Sequence, residues 1–219
     1  MADHAEDGLL REIDEELRQE HYAKLWSRYG NSIIAGALII IVSIASYQAW
    51  RAYDQKTRQT DSESFAFAHK LLGEDKPSEA ASAFRILAED ATKGYALLAR
   101  FQEAAALAIE DNKHDAANIY RSIASDKGVD QVYRDLATLL RATELVDTAN
   151  PDELSGELTP LTADSNAWRY GAREILAILA FRQGEKDEAR HQFQVLNEDT
   201  EAPAGLRSRA RDMLSVLGS

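Results

Sequence analysis

The first strong feature in the hydrophobic pattern is a block without charge. Residues 31–50 read NSIIAGALIIIVSIASYQAW, 20 positions with no Asp, Glu, Lys or Arg. A helix rising about 1.5 Å per residue crosses a hydrocarbon core of about 30 Å in roughly this length. Trp26 and Tyr29 precede the block, and Tyr47, Trp50 and Tyr53 close it. Such rings partition to both interfaces of a bilayer, so Trp26, Tyr29, Tyr47 and Trp50 are expected to anchor a membrane span. A buried core helix is the alternative, but one of this length normally carries a polar stripe. A cleaved secretory signal fits less well, because residues 1–30 are long and acidic where a signal peptide is short and basic. Ser32 and Gly36 make a single small-xxx-small step, which allows a close helix neighbour but is more simply read as ordinary lipid-facing residues.

Before the span, Leu10, Ile13, Leu17 and Leu25 fall near one helical face among Glu12, Asp14, Glu15, Glu16 and Glu20. Two readings stay open for this arm: an amphipathic helix that docks on a partner, or a solvated continuation of the membrane helix. Orientation is also open. Lys and Arg number 4 in residues 11–30 and 4 in residues 51–70, so the positive-inside rule does not choose between the two topologies.

After the span the pattern becomes periodic. Three stretches, 76–87, 113–123 and 186–196, align as Ala80, Ala116 and Ala189, then Phe84, Tyr120 and Phe193, then Leu87, Ile123 and Leu196. Small, aromatic and aliphatic at i, i+4 and i+7 share one helix face. The offsets are 36 and 73 residues, so one repeat is hidden between the second and third. Leu154, Leu158 and Leu161 have the right spacing, interrupted by Gly156 and Pro160. Further amphipathic segments cover 95–109, 132–146, 168–181 and 206–217, and a first pair begins near Ser62 with Phe65, Ala68 and Leu72. Helix pairs with a period near 34 residues are the signature of a tetratricopeptide-type solenoid. The predicted fold class is therefore all-α: one N-terminal transmembrane helix followed by a tetratricopeptide-like solenoid. Pro77, Pro151 and Pro203 mark helix starts, and Gly73 and Gly184 lie just past helix ends. No Pro or Gly separates Trp50 from Ser62, so the membrane helix is expected to run into the repeats. The expected division is an acidic arm 1–30, a span 31–50 and a repeat domain 51–219.

Composition sharpens this picture. The chain has 219 residues, 25 basic and 37 acidic, for a net charge of −12. That disfavours nucleic acid, which needs a basic footprint. Cysteine is absent, which removes disulfides, thiolate metal sites and cysteine nucleophiles together. The mean hydropathy is negative and suits a soluble protein, because the polar repeats outweigh the span.

Candidate chemistry is sparse. There is no Gly-rich phosphate loop, and His4, His21, His69, His114 and His191 have no metal-ligand spacing. The acidic pairs Glu74-Asp75, Glu89-Asp90, Glu110-Asp111 and Glu198-Asp199 recur at turns, where they read as caps and solvated charge. Neither an enzyme nor a cofactor is expected. Binding remains. Tyr95, Tyr133 and Tyr170 recur near the starts of the first helices. Arg134 and Arg141 share a face, as do Arg169 and Arg173. If Leu98, Phe101, Ala105 and Ile109 face the core, Arg100 and Glu103 point outward. Tyr95, Arg100, Tyr133, Arg134, Arg141, Tyr170 and Arg173 are the candidate partner-binding residues, since Tyr and Arg anchor interfaces. The alternative is that the tyrosines pack repeats and the arginines form a solvated face.

The stretches Glu12-Ile13-Asp14-Glu15-Glu16-Leu17 and Leu25-Trp26-Ser27-Arg28-Tyr29-Gly30-Asn31, then one span and a short repeat domain, resemble the YfgM-like family. These are ancillary subunits of the bacterial SecYEG translocon. The resemblance implies an inner-membrane anchor with the N-terminus cytoplasmic and the repeats periplasmic. It also implies a scaffold that links translocon subunits to periplasmic chaperones. A structural coordinator of envelope growth or cell division, binding wall-associated proteins, is the alternative function.

Overall fold

The computed structural model describes residues 3–218, with side chains from residue 23 onward apart from that of Leu25. The expected amphipathic face of the arm (Leu10, Ile13, Leu17 and Leu25) therefore lies outside the described side chains, as do His4 and His21. The described residues form helices α1 Asp3–Gly73, α2 Pro77–Asp90, α3 Lys93–Ile109, α4 Lys113–Ser125 and α5 Gln131–Leu145. These are followed by α6 Pro151–Leu158, α7 Arg169–Arg182, α8 Lys186–Glu198 and α9 Ala204–Leu217, with a 3₁₀ turn Thr159–Thr162 directly after α6. There is no strand among the described residues. The chain divides into two units, Met1–Lys56 and Thr57–Ser219.

The part of α1 from Trp26 to Gly73 is long and apolar enough to cross a membrane, by length and composition. None of its most apolar stretch is buried. Ile33, Ile39 and Ile41 are exposed, as are Trp26, Tyr29, Tyr47 and Trp50. A core helix would bury this surface, so that alternative is set aside. Within the stretch the Ser43 hydroxyl donates to the Ile39 carbonyl at 2.8 Å.

In the second unit the three-residue pattern is the packing code. Ala80, Phe84 and Leu87 of α2, Ala116, Tyr120 and Ile123 of α4, and Ala189, Phe193 and Leu196 of α8 are all buried. So are Leu154, Leu158 and Leu161 of the hidden repeat. The interruption there has a local cause. An α-helical Pro160 lacks the N–H for the Gly156 carbonyl and its ring collides with that group. The α-helix stops at Leu158, and a 3₁₀ turn carries Leu161 into the same core.

Three turns share one geometry. Lys76 N–H donates to Leu71 O, Asn112 N–H to Leu107 O, and Glu185 N–H to Ala180 O. Inside each, Asp75 donates to Leu72 O, Asp111 to Ala108 O, and Gly184 to Phe181 O. This nested pair is the Schellman closure, with the left-handed residue at Asp75 (φ 59°), Asp111 (φ 61°) and Gly184 (φ 83°). Gly73 is thus the last residue of α1 rather than its stop, and Asp75 takes the left-handed position. Asp tolerates that conformation better than most residues.

The expected register of α3 is corrected. Leu98 and Ile109 are exposed, whereas Ala99, Glu103, Ala104 and Ala106 are buried. The helix is pressed by α2 on one side and α4 on another, and alanines permit that close approach where leucine and isoleucine would not. Glu103 accordingly points inward. It is buried and accepts a hydrogen bond from Arg85 Nε at 3.0 Å. Burial holds its carboxyl above the usual carboxylate range, against the opposing pull of Arg85.

Candidate functional site

The arginines that the sequence singled out bind acids or carbonyls of their own domain. Arg100 donates to Asp126 at 3.2 Å and to Ser122 at 3.0 Å. Arg134 contacts Gln131. Arg141 is buried and paired with Glu157 across α5 and α6, with its Nε unsatisfied. Arg173 donates to the Thr162 carbonyl and to Asp164, at 3.0 and 3.1 Å. Most of these contacts run between neighbouring elements and tie the stack together. The tyrosines divide. Tyr95 is half-buried, its ring 6.0 Å from that of Phe65. Tyr170 is buried beneath the Arg169 guanidinium at 4.2 Å. Tyr133 is exposed. The candidate residues thus do not converge on one surface feature.

A different set does converge. Helix α7 lies between α5 and α9 and touches both. Along it opens a groove of about 600 Å³. From α7 come Gly171, Glu174, Ile175 and Ile178, spaced i, i+3, i+4 and i+7 on one face. From α5 come Leu139, Leu140 and Thr143, with Val146 just past its end, and from α9 come Leu206, Arg209, Asp212 and Met213. Phe193 of α8, fully buried, closes the groove from beneath. The spacing on all three helices is that of ordinary amphipathic stripes. Here the stripes face a shared space, and Leu139, Leu140, Ile178, Leu206 and Met213 are half-buried.

Two contacts set its shape. At Gly171 a side-chain carbon would lie 2.8 Å from Leu139 Cδ2. Glycine therefore lets α5 press its leucine directly against the α7 backbone. Across the other wall, Arg209 Nε and Nη2 donate to Glu174 Oε1 and Oε2 at 2.6 and 2.9 Å. This two-pronged pair holds α9 against α7, and it raises the Arg209 pKa through the hydrogen bond to Glu174 above all. The pair neutralises itself, so the groove retains one unpaired charge among its lining residues, Asp212.

The signals for this site were present but weak: an isolated Gly171 in an otherwise unbroken helix pattern, and a lone Met213. Among the described residues no group of His, Asp or Glu gathers as a metal site.

The family model described as "Tetratricopeptide repeat-like domain" matches residues 23–213. No curated protein and no solved structure matches the chain.

Proposed function

The chain belongs to the tetratricopeptide repeat-like domain family, and from that premise we propose that it is a membrane-anchored scaffold that binds other proteins. The observation that carries the reading is the apolar groove over α7, formed by a repeat domain whose chain also holds one long, exposed, apolar helix. Such a groove offers a surface for a partner and no group poised for chemistry. In its finer form, the scaffold is an ancillary component of the Sec translocon. In that form the acidic arm lies in the bacterial cytoplasm and the repeats in the periplasm, where they reach periplasmic chaperones. The resemblance of residues 12–31 to the YfgM-like family supports this form. In the same proposal the division is an arm 1–30, a span 31–50 and a repeat domain 51–219. Tyr133, exposed at the start of α5, is the most accessible of the candidate tyrosines, and Arg100 and Arg173 contribute by tying neighbouring elements of the stack together.

Photocrosslinking from position 143 or 133 in intact membranes tests the function. Recovery of translocon subunits or a periplasmic chaperone is the expected result. Recovery of wall-associated proteins at the division site would replace it with an envelope-growth role. Protease added to spheroplasts tests topology, and protection of residues 60–219 would reverse the orientation.

A further inference from the structure

The groove over α7 constrains the backbone of whatever enters it. An extended peptide brings an unpaired N–H and C=O at nearly every residue, and each needs a partner when water is excluded. The side chains lining this groove supply few partners. Thr143 is the one neutral hydrogen-bonding group, and Glu174 and Arg209 are already spent on each other. An α-helix arrives with its backbone bonds made internally and presents only side chains. The dimensions agree. The α7 stripe from Gly171 to Ile178 is about 10 Å long at 1.5 Å per residue, which matches two turns of a docked helix with anchors at i, i+4 and i+7. The flanking helices α5 and α9 provide its two sides.

Charge selects among such helices. With Glu174 and Arg209 mutually neutralised, Asp212 is the lining charge that faces a ligand unpaired. The sequence from residue 51 onward carries 21 basic and 29 acidic residues, so the surrounding field is negative as well. We propose that the groove over α7 binds a short amphipathic helix of a protein partner, with an apolar face against Leu139, Ile178 and Met213 and a basic residue beside Asp212. This rests on the scaffold reading above and names the chemistry of its ligand.

The experiment uses the full chain in phosphatidylcholine nanodiscs and fluorescein-labelled synthetic peptides, read by anisotropy against empty nanodiscs. The reference peptide has leucines at i, i+4 and i+7 on an alanine–glutamine background and two lysines at one end. A second carries glutamates in place of the lysines, and a third has two central prolines that abolish the helix. The reference peptide is expected to bind, and the proline peptide is not. Asp212→Lys lies on an exposed position and is expected to weaken the lysine peptide by about fivefold while strengthening the glutamate peptide. Thr143→Trp, also exposed, fills the groove and is expected to weaken both helical peptides by about tenfold. Equal binding of the proline peptide overturns the helical ligand. Binding indifferent to Asp212→Lys overturns the charge assignment. Absence of peptide binding while position 143 still crosslinks a protein in membranes overturns the helix proposal and leaves the scaffold reading standing. Failure of both removes both.

Discussion

The carboxylate of Asp61 accepts two hydrogen bonds from one residue: the Thr92 N–H at 2.9 Å and the Thr92 hydroxyl at 2.8 Å, both on Oδ2. Asp61 is buried in the last turns of α1, and Thr92 is the N-cap of α3. Thirty-one residues of chain separate them. A side chain from one helix thereby satisfies the start of another, where orphan N–H groups otherwise need a local cap. Removing it leaves a half-buried donor without its partner. Asp61→Ala is expected to destabilise the repeat domain by about 1–3 kcal/mol, measured as a fall in urea midpoint of the full chain followed by circular dichroism. An unchanged midpoint would mean that water replaces the carboxylate there at no cost.

The left-handed turn residues offer a test in both directions. Asp111 bears a β-carbon in a conformation where glycine is comfortable, and Gly184 occupies the equivalent position 73 residues later. Asp111→Gly is expected to be neutral or stabilising by up to about 1 kcal/mol, and Gly184→Ala to destabilise by about 1 kcal/mol. Nothing crowds Gly184, so its effect isolates backbone conformation from steric contact. Thermal unfolding of the two variants side by side reads the contrast, and equal shifts would contradict it.

Phe193 is fully buried and belongs to both the last repeat core and the underside of the groove. Phe193→Ala is expected to cost about 3–5 kcal/mol, the range for a buried aromatic truncated to alanine. Hydrogen exchange should show α8 and α9 losing protection more than α2. Uniform loss along the domain would show that the stack unfolds as one cooperative unit.

Gly171→Ala weighs two effects against each other. Alanine favours a helix over glycine by about 1 kcal/mol, while its methyl meets the far end of the Leu139 side chain. That side chain can rotate, so stability is expected to change by less than about 1 kcal/mol. The displaced leucine enters the groove, and binding of an apolar helical peptide should weaken although the fold persists. Unfolding and anisotropy measured on the same variant separate the two. Preserved binding would place the ligand elsewhere.

The pH dependence has a defined sign. Burial holds the Glu103 carboxyl above its ordinary value of 4.5, with Arg85 pulling the other way. The folded state therefore keeps this proton more tightly than the unfolded chain. Its contribution to stability is fullest below the unfolded pKa and is lost as pH rises through the raised folded value. Glu144 is shifted in the same direction, again by burial, with Lys113 opposing. Asp126 is held low, chiefly by the Gly128 N–H and then by Arg100, and contributes the opposite slope at more acid pH. Glu103→Gln is expected to show a smaller loss of stability than the wild type between pH 4.5 and neutrality, by urea midpoints at both pH values. An identical loss in the two proteins would remove Glu103 as its source.

Local pattern alone specified much of this molecule. Uncharged residues 31–50 form part of a long, exposed, apolar helix because no polar stripe is available to seat them in a core. The i, i+4, i+7 triplets of α2, α4 and α8 are buried because that spacing lies on one face of a helix whatever its neighbours, and Leu154, Leu158 and Leu161 are buried as well, the last by way of the 3₁₀ turn. The tertiary structure decided what depends on two or more elements at once. In α3, Leu98 and Ile109 form as good an apolar stripe as the alanines, but the close approach of α2 and α4 seats the alanines and leaves the larger side chains outside. Arg141 and Tyr170 look like exposed anchors when read along one helix, and become interior residues once α6 covers the first and the core shared with α8 and α9 takes in the second. The groove exists on no single helix. Gly171 and Leu139, 32 positions apart, or Glu174 and Arg209, 35 positions apart, acquire meaning only when α5, α7 and α9 stand side by side. Periodicity fixes which face of a helix is apolar, but only packing determines whether that face is covered or left open to a partner.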